Sequence, residues 1–551
     1  MGMVASSQEL LNQEPNPSQF FPQGVPRAVR RIGLTMALLS GVVSLTTGYL
    51  LVFRYHQLFG DAISRAIVGM YMTWDGHFHL AAMGFYWSPL LSLFSVPFAL
   101  ARHWWPPLMT YGFSANILSA LFAAVGVYHL YRILWRFGLS QWASVVWTSL
   151  YLLNPLILLY SANGMSDAIE CAILLAMVDG LVEYLQTDRL GALVRSATWL
   201  AAAFMVRYES VPIGACLGIA LVLSIWIRTK NWYRAEAIGL ALLFPIVMAG
   251  IIWMLLGAMI MHNPFYFLNS RYSNGAQIST GSYNFPQVLA ARHHLGVTLY
   301  QVFRFMDNFW AYAPAAVTVA VLQFRRRTDS IGISLLAASF GAPLLQIVLL
   351  YSHRSADWQR FFIYYIPFGF LLFAYVIWKL PIRWRSWFAW MGCFALVASN
   401  YAALEAMKSP VWGNGDTSVY QAVFDSQRGS LKDNANYMTL EQGEVEAHYI
   451  NAHPHLVVLI STFDSPLVMP FIRRPGQIIF SGEPSYDSIL ENPLGRANAI
   501  LTVPNSPHSL GADTSINRMY PGLWAGHVSW TKLIHQWKNG DRLYAVLKDA
   551  P

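Results

Sequence analysis

The stretch Tyr71-Met-Thr-Trp-Asp-Gly-His-Phe-His-Leu80 sets one acid, Asp75, and two histidines, His77 and His79, among aromatic rings shortly after the first long apolar run. A carboxylate is expensive in hydrocarbon and well placed at a membrane surface. Between Trp74 and Phe78, Asp75 has what a general base needs: it is ionised, partly desolvated and within reach of an approaching hydroxyl. The competing reading is local, because Asp is also a good N-cap for an interfacial helix. His77 and His79 would project the same way only from an extended segment. They read as substrate contacts, or with Asp75 as ligands of a metal ion.

Other chemistry-bearing groups recur along the chain. In Ala162-Asn-Gly-Met-Ser-Asp-Ala-Ile-Glu170, Ser166 is expected to cap a helix. That puts Asp167 in the first turn and Glu170 on about the same face one turn later. Acids there complement the helix dipole, and they are also candidates for substrate or, for Asp167, metal binding. Arg207-Tyr208-Glu209 places charges near hydrocarbon, where they hold helices together as an ion pair or bind substrate. The loop beginning Asn263-Pro-Phe-Tyr-Phe and containing Arg271 and Tyr272 is long, aromatic and polar, as a substrate-covering loop would be. His353-Arg-Ser-Ala-Asp-Trp-Gln-Arg360 offers Arg354 and Arg360 as holders of an anion such as a phosphate, or as side chains snorkelling to lipid headgroups.

The elements that must position these groups are membrane helices. Of 551 residues, 55% are hydrophobic and only 12% charged, about half the charge of an average soluble domain. The net charge of +8 is not a nucleic-acid footprint, because Lys and Arg sit in short clusters between apolar runs. The three cysteines lie inside apolar runs and suggest neither a disulfide framework nor a CxxC site. Residues 1–30 read as a polar cytoplasmic tail. Apolar runs near 32–53, 110–131, 142–161, 166–186, 193–211, 212–227, 236–260, 300–323, 331–351, 360–378 and 386–405 predict about eleven spans. Basic clusters fall on alternate loops (Arg132 and Arg136; Arg189 and Arg195; Arg228, Lys230 and Arg234; Arg325–Arg327; Lys379, Arg383 and Arg385). The positive-inside rule makes those loops cytoplasmic. Outer loops 54–109 and 261–299 and everything after about 405 then lie outside. Residues 406–551 hold no span. Short apolar runs at 456–460, 477–480, 499–503 and 543–547, with helices at 465–472 and 485–491, predict an extracytoplasmic α/β domain. That domain is expected to position an acceptor or to cover the mouth of the site.

No Gly-rich phosphate loop, H-E-x-x-H or G-x-S-x-G motif is present, which argues against an ATP-driven pump. With Trp-Asp75-Gly-His-Phe-His, Gly-Met-Ser-Asp167-Ala, Val-Arg207-Tyr-Glu209 and Asn263-Pro-Phe-Tyr-Phe in this order, residues 30–405 resemble the GT-C superfamily of integral-membrane glycosyltransferases. The likeness is to bacterial relatives of protein O-mannosyltransferases and lipid A aminoarabinose transferases. It implies an all-α polytopic GT-C fold in a bacterial plasma membrane. It also implies transfer of a sugar from a polyprenyl-phosphate donor to a glycan, lipid or protein acceptor, with inversion. Asp75 would be the base, and cations such as Arg207, Arg354 and Arg360 would stabilise the leaving phosphate. A divalent metal ion is an open option. Gly76 stands where protein O-mannosyltransferases carry a second acid, which speaks against protein mannosylation. A transporter or flippase of lipid-linked intermediates, or an assembly scaffold using the C-terminal domain, are the alternatives.

Overall fold

Apolar runs of this length fold as helices because a backbone in hydrocarbon must satisfy its own hydrogen bonds. The computed structural model describes residues 25–74, 76–270, 273, 285–325, 329–410, 415–425, 434–462, 467–483, 485–504 and 515–547, with 307, 308 and 415 as backbone only. Most of the expected tail, Asp75, Arg271 and Tyr272 lie outside the described residues. The principal helices are α1 (Arg27–Tyr49), α2 (Gly60–Tyr71), α3 (Leu90–Leu100), α4 (Phe113–Arg136), α5 (Gln141–Leu152), α6 (Pro155–Ala162), α7 (Ser166–Thr187), α8 (Leu190–Phe204), α9 (Ser210–Thr229), α10 (Trp232–Met261), α11 (Leu295–Arg304), α12 (Tyr312–Arg325), α13 (Ser330–Tyr351), α14 (Tyr365–Lys379), α15 (Ile382–Lys408), α16 (Gly415–Phe424), α17 (Ala435–Ala452) and α18 (Tyr486–Glu491).

Among the described residues, seven helices are long and apolar enough to span a membrane, and α5 with α6 makes an eighth if that pair, bent by 67°, is one span. The bend has a local cause. Pro155 takes the first position of α6, and Asn154 caps it by accepting from the backbone N–H of Leu156 and Ile157. Each remaining expected span coincides with helix: α7 carries four acids, α8 is short, and the run near 300–323 divides into α11 and α12. On α10, Leu240, Phe244, Val247, Ile251, Leu255 and Met259 form one exposed stripe at helical spacing, the face a lipid-contacting helix presents.

Helix α7 is the axis of the bundle and nearly every residue of it is buried. Helix α4 packs along it, and the approach requires a glycine: a Cβ on Gly126 would come within 2.8 Å of the Ala172 Cβ. The charges of α7 gather at its two ends. At the C-terminal end, Asp179 takes His129 at 2.8 Å and Arg136 at 3.1 Å, and Arg132, Arg136 and Arg195 surround Glu183. Arg234 at the start of α10, paired with Asp188, and Lys379 at the end of α14, paired with Asp329, complete this basic end. The loops expected on one side of the membrane thus meet at one end of the bundle.

At the other end sits a five-stranded sheet of β1 (Val458–Ile460), β2 (Ile478–Phe480), β3 (Ala499–Thr502), β4 (Thr531–Gln536) and β5 (Arg542–Val546), in the order β2-β1-β3-β5-β4. Strand β1 runs parallel to β2 and β3, and β5 is antiparallel to β3 and β4. The strand β4 is missing from the sequence expectation because its residues are mostly exposed and give no apolar run. Alternation assigns two faces. Val458, Ile460, Ile478 and Phe480 join the core that continues into the helical bundle, while Leu459, Ile500 and Tyr544 pack with α18 in a separate cluster. Tyr71 packs against Phe480 at 4.7 Å, and the Trp74 indole donates to the Pro475 carbonyl at 3.1 Å. The stretch next to Asp75 is therefore held against the sheet.

Candidate active site

Three chain segments far apart in sequence bring their charges together at the N-terminal end of α7. The 205–209 turn between α8 and α9 extends Arg207 over the first turns of α7. Its Nη1 donates to Asp167 at 2.9 Å and to the Ser166 hydroxyl at 3.1 Å. Its Nη2 binds Glu209, and its Nε lies 3.4 Å from Glu170, an electrostatic contact without hydrogen-bond geometry. Ser166 is therefore not the N-cap expected from the sequence. Met165 occupies that position without a side-chain bond, and the Ser166 hydroxyl is spent on Arg207. Tyr364, just before α14, donates to Glu170. Asp167 and Glu170 are fully buried, and one oxygen of each, Oδ2 and Oε1, has no hydrogen-bond partner among the described residues.

Beside this group lies a second one. Arg360 pairs with Asp61 of α2 at 3.1 Å and lies over the rings of Trp358 and Phe361, at 4.3 and 5.3 Å. Arg65, one turn along α2, lies 5.1 Å from the Trp87 ring centroid, and its buried Nη1 has no hydrogen-bond partner among the described residues. Burial opposes ionisation of Asp61, but Arg360 and Arg65 outweigh it and hold the carboxyl below its ordinary range. Asp61 also feels Arg207, and Arg360 feels Asp167, so the two groups share one electrostatic site. Asp416 of α16 closes one side and accepts from Tyr160 at 2.8 Å. Burial pushes its carboxyl up to about 7 against the opposing pull of Tyr160 and Arg360.

Of the residues expected from the sequence, Asp167, Glu170, Arg207, Glu209 and Arg360 converge here. His77 and His79 are exposed, their ring centroids 6.4 Å apart. Tyr208 turns away and packs on Phe204 and Phe267, tying the start of the 263–269 loop to the turn that carries Arg207. Arg354 is exposed, and His353 sits in a left-handed turn with φ 56°. Neither joins the Arg207 group by a hydrogen bond or ion pair among the described residues. No group of three or more His, Cys, Asp or Glu among the described residues is placed to hold a metal ion. Sequence reading passed over Asp61, Arg65, Tyr160, Tyr364 and Asp416. Only the i,i+4 spacing of Asp61 and Arg65 in an apolar helix could have flagged the first two. The partners of the others lie hundreds of residues away.

Fold and site define a polytopic integral membrane protein with a buried charge cluster at one mouth of its bundle and a small α/β sheet beside it. Residues 108–253 match the family model described as dolichyl-phosphate-mannose-protein mannosyltransferase. The likeness to GT-C membrane glycosyltransferases therefore extends to a match with that family over α4 to α10. Among solved structures, an archaeal oligosaccharyltransferase, AglB from Archaeoglobus fulgidus, in complex with an inhibitory peptide and a dolichol-phosphate, aligns with TM-score 0.47 and 11% identity, over 94% of this chain and 75% of that one. The Archaeoglobus fulgidus oligosaccharyltransferase in complex with Zn and sulfate aligns with TM-score 0.45 and 11% identity, over 94% and 74%. No curated protein sequence matches the chain.

Proposed function

We propose that this protein is an inverting glycosyltransferase that moves a sugar from a polyprenyl-phosphate donor to a hydroxyl of an extracytoplasmic glycan, lipid or protein. In this reading the basic end of the bundle faces the cytoplasm and the sheet lies outside, in the plasma membrane of a bacterium. The observation that carries the proposal is the pair Arg65, against the Trp87 ring, and Arg360, over the Trp358 and Phe361 rings, at the mouth that also gathers Asp167, Glu170 and Glu209, with a buried Arg65 nitrogen still open to an acceptor. A guanidinium desolvated in this way suits a phosphate oxygen. The acceptor oxygen attacks the anomeric carbon, the carbon–oxygen bond to phosphate breaks, and the electron pair leaves with the lipid phosphate. Charge grows on that phosphate, which Arg65 and Arg360 stabilise; it needs no general acid. Asp75 takes the proton of the attacking hydroxyl. A divalent cation would draw on the open oxygens of Asp167 and Glu170, since Arg207 holds the other oxygen of Asp167 and Tyr364 that of Glu170.

The test is sugar transfer by membranes carrying Asp75→Asn. Loss of a general base predicts a fall of roughly 10²–10⁴-fold in turnover, whereas a normal rate excludes the base assignment. Arg65→Met should raise KM for the lipid donor. A flippase of lipid-linked intermediates, the alternative, would instead move donor across vesicles without forming product.

A further inference from the structure

The C-terminal region encloses a cavity of about 290 Å³ lined by Met438, Thr439, Gln442, Glu446, Asn539 and Asp541. Helix α17 supplies one wall, and its Gly443 lies so close to the Leu467 carbonyl that a Cβ would come within 2.6 Å of it. The polar wall is built and buried. Glu446 and Asp541 are 1% and 7% exposed. Gln442 Nε2 donates to Glu446 at 2.9 Å, and Asn539 Nδ2 donates to Asp541 at 2.6 Å. Burial, with Asp541 alongside, holds the Glu446 carboxyl well above its ordinary range.

Such a wall repels anions. It alternates strong acceptors with amide donors, the pattern that pairs with neighbouring hydroxyls, since each hydroxyl both donates and accepts. Met438 and Leu467 give the same cavity an apolar side for C–H groups. The volume is at the small end of ligand sites, roughly 300 Å³ and upward. Position matters as well. The first turn of α17 docks beside the segment that bears Asp61: Asn436 donates to the Leu58 carbonyl at 2.9 Å, and Tyr437 stacks on His56 at 4.3 Å. The cavity opens on the turns that follow.

We infer that this cavity is a subsite for a neutral, hydroxyl-rich ligand, a sugar unit of the acceptor glycan. The inference rests on the transferase reading above and assigns it a glycan acceptor. The experiment uses the full chain in nanodiscs, with saturation-transfer difference NMR against a panel of uncharged hexose disaccharides and trisaccharides. Wild type should give saturation transfer. Glu446→Ala and Asp541→Asn should weaken it about tenfold or more, as loss of a buried hydrogen-bonding group that leaves its partners unpaired does. Thr439→Trp fills the exposed mouth without touching the acids, and should abolish binding while leaving the melting temperature unchanged. Asp75→Asn should bind as wild type does. Absence of any signal in wild type overturns the subsite, as do equal signals in all variants. Stabilisation by calcium alone, lost in Asp541→Asn, makes the cavity a cation site and also overturns it. If sugar binds but wild-type membranes transfer no sugar from a polyprenyl-phosphate donor, the transferase reading fails while the subsite stands. If Asp75→Asn is inactive and no sugar binds, the reverse holds.

Discussion

Replacing Arg207 by Met tests whether the charges at the head of α7 are one network. The side chain is 10% exposed and faces Asp167 and Glu170, both fully buried, with Glu209 as its third partner. Methionine keeps most of the volume and removes every cationic contact, so three carboxyls are left around an apolar group. At an effective dielectric of about 20, one contact near 4 Å is worth roughly 4 kcal/mol before desolvation is counted. Breaking a buried pair by removing one partner costs about 3–5 kcal/mol. The melting midpoint of the detergent-purified chain, followed by tryptophan fluorescence, should therefore fall by about 5 °C or more. Adding Glu209→Gln to Arg207→Met should recover part of the loss, a coupling of about 0.5–3 kcal/mol. Arg207→Lys should fall between, because one ammonium cannot fork to Asp167 and Glu209 together. A midpoint within about a degree of wild type for Arg207→Met, or additive losses in the double variant, refutes the network.

Two further outcomes follow from the geometry. Burial raises the carboxyl of Asp357 to about 7, with Arg304 at 2.7 Å opposing, and raises Asp416 to about 7. Both start from 3.8, so each binds a proton on folding. The stabilisation these two groups contribute is fully present below about pH 4 and is lost as pH rises to about 7, by up to about 1.4 kcal/mol per unit for each group. Denaturation profiles of Asp357→Asn and Asp416→Asn should each be flatter across that window, and an unchanged slope in both variants refutes the burial argument. Gly126→Val should cost about 1–3 kcal/mol by forcing α4 off Ala172, with Gly126→Ala milder, read as melting midpoints; equal midpoints for Val and wild type would show that the helices part freely.

The sequence by itself determined the helical membrane architecture, because low charge and apolar runs of spanning length leave the backbone no other way to satisfy itself. It also located four of the five strands, marked Arg207 and Glu209 as charges needing a reason to be near hydrocarbon, and singled out Asp167, Glu170 and Arg360 as candidates to bind substrate. It could not say which of these meet. That depended on the turn at 205–209 reaching over α7, and on α2 bringing Asp61 beside Arg360 across some three hundred residues. Periodicity reports which face of a segment is buried, but not what lies opposite it. The same limit hid Asp416 and Tyr160, each ordinary in its own stretch and joined only by the fold. It also hid the cavity, whose two acids come from α17 and from the turn before β5. Arg354 and Arg360 looked equivalent as neighbouring outward arginines. The tertiary structure separated them: one is exposed, the other is packed between aromatic rings and paired, because the chain turns inward at Ser355 and Asp357.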